Sequence, residues 1–501
     1  MKPPIDIAAP RVPALQAEAV RLASWPLLVG VYVYGLSLSS ENVLKDGDTY
    51  WHIAAGRWIL EHRAVPAADP FSHTMPGASW TAHEWLSEVL LAGVHDFGGW
   101  TAVIAVTALA FALAMACLAR ALLRTVEPTR AVLFTAVAVM MTIGHFLARP
   151  HVLAMPLLVV WTAGLVRARQ EARRPALWLL PVLALWANMH AGFVLGICLA
   201  AAFALEAVLE AWPRGRARVA LAARDWGFFV ALAAVCGLLT PHGVQGYVYT
   251  WEVMSEHQFA LDNISEWLSP NFHGFQPLEV WLIGGLAIVL TQGLKLPWLR
   301  LVLVLGLLHL ALKHARNIEL VGMLTPLIVA QPFAAQWAAA GRPSVPSRLD
   351  RISRWLAPPA HPAAVAGCIL LLAGATLTLA HWRPVEPPEF VAPQKALQAA
   401  KDYTRQPVLN GYGWGGYLIY SGIRPFIDGR ADMYGDAFYK RYIEAVNSHE
   451  AGALEKLLAD YRVTWTLLPV GTPAIAVLDH LPGWRRLYAD EKTVVHVRTT
   501  P

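Results

Sequence analysis

Long apolar runs separated by short polar joins organise this chain from residue 24 to residue 381. They fall at about 24–40, 100–119, 131–147, 152–166, 176–189, 191–211, 226–240, 276–293, 298–312, 318–336 and 362–381. Several are a little short of the ~20 residues that an untilted helix needs to cross the hydrocarbon core. The pattern predicts about 11 transmembrane helices, and the tight joins at 147–152 and 189–191 allow hairpins or broken helices there. From residue 384 the apolar runs shorten. Pro384, Pro387, Pro388 and Pro393 mark a stiff linker. Residues 394–404 then read as helix, VLNGY and GGYLIYSG as strand, turn and strand, and PFIDGRADMYG as a strand ending in a polar loop. One or two helices follow over 436–461, and VTWTLLPV and TVVHVR give two more short strands with period-2 character. The expected architecture is a polytopic α-helical membrane domain over 1–383 and a soluble α/β domain over 384–501.

Composition agrees with that reading. A hydrophobic content of 56%, a charged content of 15% and a mean hydropathy of +0.43 lie outside the soluble range. No cleavable signal peptide is expected, because residues 1–23 mix Pro, Arg, Gln and Glu and no small-residue cleavage site clearly follows the first run. The first helix should therefore remain as an anchor. Cys117, Cys198, Cys236 and Cys368 all fall in apolar segments, where they act as small hydrophobes and leave no pair for a disulfide.

The net charge of +5 is informative through its placement. With a cytoplasmic N-terminus, the inner loops carry Arg120, Arg124 and Arg130, then Arg167, Arg169, Arg173 and Arg174, then Arg214, Arg216, Arg218 and Arg224. Lys295 and Arg300, and finally Arg342, Arg348, Arg351 and Arg354, complete the series. The outer loops are poor in Lys and Arg, and 241–275 has none. This asymmetry sets the orientation and puts the C-terminal domain on the outer side. It does not point to nucleic acid. Ala-, Arg- and Leu-rich composition and the lack of eukaryotic targeting signals suggest a bacterial inner membrane.

That orientation gathers every unusual polar cluster on the outer face: DGD at 46–48, HEWLSE at 83–88, ARPH at 148–151, NMH at 188–190, TPHG at 240–243, DNISEW at 262–267 and KHARN at 313–317. Charges at helix ends are costly against lipid, so their convergence suggests a water-filled cavity between the helices. The stretch from Asp46 to Glu88 is the densest in acids, histidines and tryptophans. Asp46 and Asp48 suit a general base or a divalent-metal ligand; equally, Asp48 suits an N-cap for a helix starting at Thr49. Thr81-x-x-Glu84 fits a capping box for a helix over 82–94, which leaves His83 and Glu88 less explained. Arg149, Lys313 and Arg316 are candidates to hold a phosphate, with snorkelling to headgroups as the plain alternative. Tyr50, His52, His83, Glu84, His151, Asn188, His190 and Glu266 complete the candidate substrate-binding set on this face. In the C-terminal domain, Asp428, Arg430, Asp432 and Tyr434 of FIDGRADMYG either cover an acceptor or belong to a loop whose Arg and Asp pair internally. HExxH, Walker, GxSxG and CxxC patterns are absent, which disfavours nucleotide-driven and serine-hydrolase chemistry.

The first outer loop, about 41–99, carries a resemblance. Its acidic pair, Tyr50 four residues after Asp46, the helix AAGRWILEH, PxxDPFS and Gly-x-x-Trp-x-x-His-Glu-Trp resemble the first periplasmic loop of the GT-C superfamily of integral membrane glycosyltransferases. The likeness is nearest to bacterial protein mannosyltransferase and aminoarabinose transferase types. It implies transfer of a sugar from a polyprenyl-phosphate donor, typically with inversion, to a lipid, glycan or protein acceptor on the outer face. On this chain Asp46 matches the acid that acts as base in the family. The family often has an acid directly after it, whereas here Gly47 intervenes, so the resemblance leaves open which aspartate is the base. It also leaves open a divalent cation, Mg or Mn, at Asp46 and Asp48. Two other classes share the span count. A flippase for lipid-linked sugars would carry paired halves and polar groups near the midplane; an assembly protein for envelope polysaccharide would keep its role when Asp46 and Asp48 are changed.

Overall fold

Each of the eleven apolar runs is helical in the computed structural model of the protein, which describes residues 22–40, 42–339, 348–382 and 385–499. Arg342, Pro384 and the segment before the first span lie outside the described residues. Among the described residues, six helices, Trp85–Leu122, Pro150–Gln170, Phe193–Arg214, Arg216–Cys236, Ala315–Ala339 and Pro362–Trp382, are long and apolar enough to cross a membrane. Trp25–Leu38, Pro128–Ile143, Leu179–Met189 and Pro277–Gln292 are shorter apolar helices. The helix expected over 82–94 and the run at 100–119 join into Trp85–Leu122, bent at Gly98 and Gly99. Gly99 takes φ +61°, a conformation that disfavours any side chain.

The bent helix is the centre of the bundle, packed by Trp25–Leu38, Asp48–His62 and Pro150–Gln170. Phe111, Met115 and Leu118 on it and Trp161 and Phe203 opposite are almost completely buried. Outer helices show the reverse. Leu370 and Leu371 on Pro362–Trp382 are 72% and 75% exposed, an apolar surface that suits lipid and not water. Arg169 and Arg300, expected as free inner-loop charges, both reach Glu206, at 3.1 and 2.7 Å.

The C-terminal part folds around a four-stranded sheet of β1 (Val408–Asn410), β2 (Trp465–Pro469), β3 (Trp484–Ala489) and β4 (Thr493–Arg498), in the order β1-β2-β4-β3. β1 is parallel to β2 and the other pairings are antiparallel. Three expectations change here. GGYLIYSG is a short helix, Gly415–Tyr420, and not a strand; PFIDGR is irregular; and ADMYG opens the helix Ala431–Val446. A short apolar run such as YLIY fits a buried helix turn as well as a strand, and tertiary contact decides. Here the contact is glycine on glycine. A Cβ at Gly47 would overlap the carbonyl oxygen of Gly413, and one at Gly416 would overlap the carbonyl oxygen of Gly47. The DGD loop and the start of the C-terminal domain therefore meet backbone to backbone.

That close approach gives a direct test. Gly47→Ala should lower the thermal midpoint, at a cost of roughly 1–3 kcal/mol for overpacking. Gly413→Ala is the control, since nothing lies within 4 Å of a Cβ there. Equal midpoints for the two variants would refute the glycine contact.

Candidate active site

A cavity of about 890 Å³ opens where the polar helix ends meet the C-terminal domain. Asp46, Asp48, His52, His83, Glu84, Arg149, His151, His190, Glu266, Arg316 and Arg430, eleven of the residues singled out from sequence, line it together. Its far wall is apolar, with Met155, Leu158, Trp186, Leu195 and Leu320 contributed by the membrane helices.

Arg149 is the hub of the upper part. As the residue before Pro150 it is extended, at φ −128° and ψ 157°, and caps Pro150–Gln170. The irregular segment leading to it is strapped to the first loop: Ala148 donates its N–H to Val43 (2.9 Å) and accepts from the Thr49 hydroxyl (3.1 Å). The guanidinium thus arrives over the DGD turn. Its Nε pairs with Asp46, its Nη2 with Asp48, and its Nη1 with Glu266 Oε2 at 2.5 Å. Glu266 also accepts from Arg316 at 3.0 Å, and the Arg316 guanidinium lies 4.4 Å over the Trp267 ring.

The two aspartates differ in what holds them. Asp46 Oδ1 accepts the backbone N–H of Asp48 at 2.9 Å; the N-cap of the helix Asp48–His62 is Gly47, and Asp48 is its first residue. The expected N-cap role of Asp48 is therefore not filled by it, since Gly47 holds that position. Asp48 Oδ1 lies where a Cβ at Gly429 would stand, so glycine is required in the FIDGR turn for the carboxylate to fit. Burial pushes the Asp48 carboxyl up to about 7, with Arg149 opposing and Asp46 and Glu266 adding to the rise. Asp46 is raised by burial too, against Arg149. Burial also acts upward on Glu266, but Arg149 and Arg316 outweigh it and hold the group at about 2.

A second cluster lies lower on the same wall. Glu84 precedes the helix Trp85–Leu122 without a side-chain capping bond, so the capping box is not formed. Its carboxylate instead faces His190 (3.4 Å), His83 (3.7 Å) and His52 (3.8 Å). Burial raises Glu84, yet the three imidazoles more than offset this and keep it well below the usual carboxylate range. Burial takes His52 down to about 3 and His190 to about 4, so both are neutral near pH 7. His52 also reaches Glu88, 3.4 Å away and 1% exposed.

Four candidates sit elsewhere. Tyr50 is buried below the cavity among Trp100, Tyr417 and Tyr420. Asn188 accepts from the Trp85 indole at 2.9 Å and donates to the Leu239 carbonyl, which makes it a strut between helix ends. Lys313 is exposed and outside the cavity. Asp428 is fully buried: Arg430 donates to it from Nε and Nη2, both at 2.7 Å, and Tyr434 from its hydroxyl at 2.7 Å. Arg430 donates in addition to Asp69 of the first loop at 2.7 Å, so the FIDGR pair ties the two parts of the chain together.

The cavity also holds residues that were not singled out. Glu319, in the first turn of an apolar helix, is 8% exposed, its Oε2 3.9 Å from His151 Nε2 and without a hydrogen bond; an ionisable residue in such a helix is itself a signal. His145 and Tyr412 carried none; Asp432, which the sequence did single out in FIDGRADMYG, lines the cavity as well. Among the described residues, His145, His151 and Glu319 are the one group whose ligand atoms lie close enough to hold a metal, within 4.8 Å of one another. Asp46 and Asp48 do not fit a divalent cation between them, because both carboxylates are turned onto Arg149.

No protein-family model and no characterised sequence matches the chain. Solved structures do. The archaeal oligosaccharyltransferase AglB from Archaeoglobus fulgidus, in complex with an inhibitory peptide and a dolichol-phosphate, matches with TM-score 0.53 and 10% identity, over 89% of this chain and 69% of that one. The apo form of the Archaeoglobus fulgidus oligosaccharyltransferase gives 0.55 and 11%, with the same coverage. ArnT from Cupriavidus metallidurans bound to undecaprenyl phosphate covers 94% of this chain and 97% of its own, at 14% identity and TM-score 0.46. At these identities the first two matches speak for the fold, and that fold is the GT-C architecture which the first loop resembles.

Proposed function

We propose that this protein is a membrane glycosyltransferase that moves a sugar from a polyprenyl-phosphate donor to a hydroxyl or amine acceptor on the extracytoplasmic face. One observation carries the reading. A single cavity joins a carboxylate suited to proton abstraction at neutral pH, a guanidinium with donors to spare and an apolar wall made by membrane helices. A phosphate with an isoprenoid tail needs the last two, and an acceptor needs the first. The solved relative that holds a dolichol-phosphate supports the same donor class here.

Asp48 takes the proton of the acceptor O–H or N–H as that atom forms its bond to the anomeric carbon. The bond from this carbon to the phosphate oxygen breaks, and the electron pair leaves with the phosphate. Arg316 stabilises the charge that develops there. Attack from the face opposite the phosphate gives inversion. Arg149 is committed to three carboxylates, so Arg316 is the better phosphate contact.

The test is turnover by purified protein with a panel of synthetic polyprenyl-phosphate sugars. Because Asp48 must be ionised, kcat/KM should rise about tenfold per pH unit below about 7 and level off above it. No transfer and no donor hydrolysis with any donor would favour transport or assembly instead.

A further inference from the structure

We propose that the guanidinium of Arg149 is a resident cation that occupies the place of a divalent metal among Asp46, Asp48 and Glu266, so that this site works without one. Three carboxylates converging from two segments, Asp46 and Asp48 of the DGD turn and Glu266 of the 262–267 loop, are the donor set that a hard cation such as Mg²⁺ or Mn²⁺ takes. Here each gives an oxygen to the same guanidinium. All four side chains are shielded, with exposures of 13% for Arg149 and Asp46, 19% for Glu266 and 23% for Asp48.

The position of Arg149 is built and not incidental. The Val43 and Thr49 hydrogen bonds to Ala148 and the restricted residue before Pro150 fix its backbone over the acids. Glu266 is fixed from the other side by Arg316 and by its own loop, where the Trp267 carbonyl accepts from His314 at 2.6 Å. A planar fork of donors matches three carboxylates in a way that a point charge does not. A metal entering this cluster would meet a positive charge already in contact with every ligand.

Only the link to turnover rests on the transferase reading; the claim about cation binding stands without it. The first arm is therefore Mn²⁺ binding to the purified full chain, read by electron paramagnetic resonance. Wild type should take up no Mn²⁺ that Asp46→Asn or Glu266→Gln abolishes. Arg149→Gln, which frees the three acids, should gain a site that binds at least about tenfold more tightly. The second arm uses wild type alone: after exhaustive chelation, transfer or donor hydrolysis should stay within about twofold of its starting rate. A wild-type Mn²⁺ site lost with Asp46→Asn, a folded Arg149→Gln that gains none, or turnover abolished by chelator and restored by Mg²⁺ or Mn²⁺ would each overturn the proposal.

Discussion

Asp48→Asn should lower sugar transfer by about 10²- to 10⁴-fold, the loss associated with removing a general base. Substrate affinity should hardly change, because an amide keeps the shape of the side chain. The rise of kcat/KM with pH should disappear in the residual activity, since the titrating group is gone. Asp46→Asn is the instructive comparison. The amide in this variant keeps an oxygen for the Asp48 backbone N–H but brings no charge to Arg149. Its expected loss is smaller, on the order of tenfold, the scale of a weakened charged hydrogen bond. The reverse ranking, with Asp46→Asn inactive and Asp48→Asn close to wild type, would reassign the base to Asp46. Measured rates with one donor at saturating and limiting concentration separate these outcomes, because a base acts on the chemical step while a positioning residue also disturbs KM.

The grouping of polar helix ends was readable in the sequence because the bilayer imposes it. A charge beside an apolar run must find water, a partner or a cavity, and seven such clusters at one face leave few arrangements. DGD, HEWLSE, ARPH, NMH, ISEW and ARN do line or support one cavity. Their partners were not readable. Arg149 and Glu266 are 117 residues apart, and nothing local in ARPH says that its arginine serves three acids before any phosphate. The same holds for Glu84. Thr-x-x-Glu ahead of a helix is a sound local rule, yet the adjacent His83 together with His52 and His190 from distant segments gives its carboxylate a better set of neighbours. In the C-terminal domain the strands β2 and β4 were legible, although both are buried along nearly their whole length and not on alternate residues, whereas GGYLIY turned helical where glycines meet the DGD loop. Local pattern fixes an element when burial is its only task; it fails where backbone from elsewhere must pass within contact.

Arg430→Ala should destabilise the protein by about 3–5 kcal/mol, the cost of leaving a buried charge without its partner. Arg430 is 1% exposed, and the two carboxylates it holds, Asp69 and Asp428, are 5% and 0% exposed. Its guanidinium also stacks over Trp80 at 4.8 Å and Phe71 at 5.2 Å, so the variant loses packing as well as charge. The consequence is asymmetric in space. Asp69 belongs to the first loop, where it orders the turn by accepting from the N–H groups of Phe71 and Ser72. Asp428 and Arg430 belong to the C-terminal domain, and Gly429 between them backs Asp48. Breaking the pair should therefore loosen the domain from the loop and let the Asp48 carboxylate move. A thermal midpoint lower by several degrees, with faster cleavage by added protease near residue 430, is the expected result. Adding Asp69→Asn and Asp428→Asn to Arg430→Ala should recover part of the loss, since neutral amides need no counterion. An Arg430→Ala midpoint equal to wild type would mean that the Asp69 and Asp428 charges are solvated in solution and that the two parts of the chain are held together by the glycine contacts and the His73 and Thr74 hydrogen bonds.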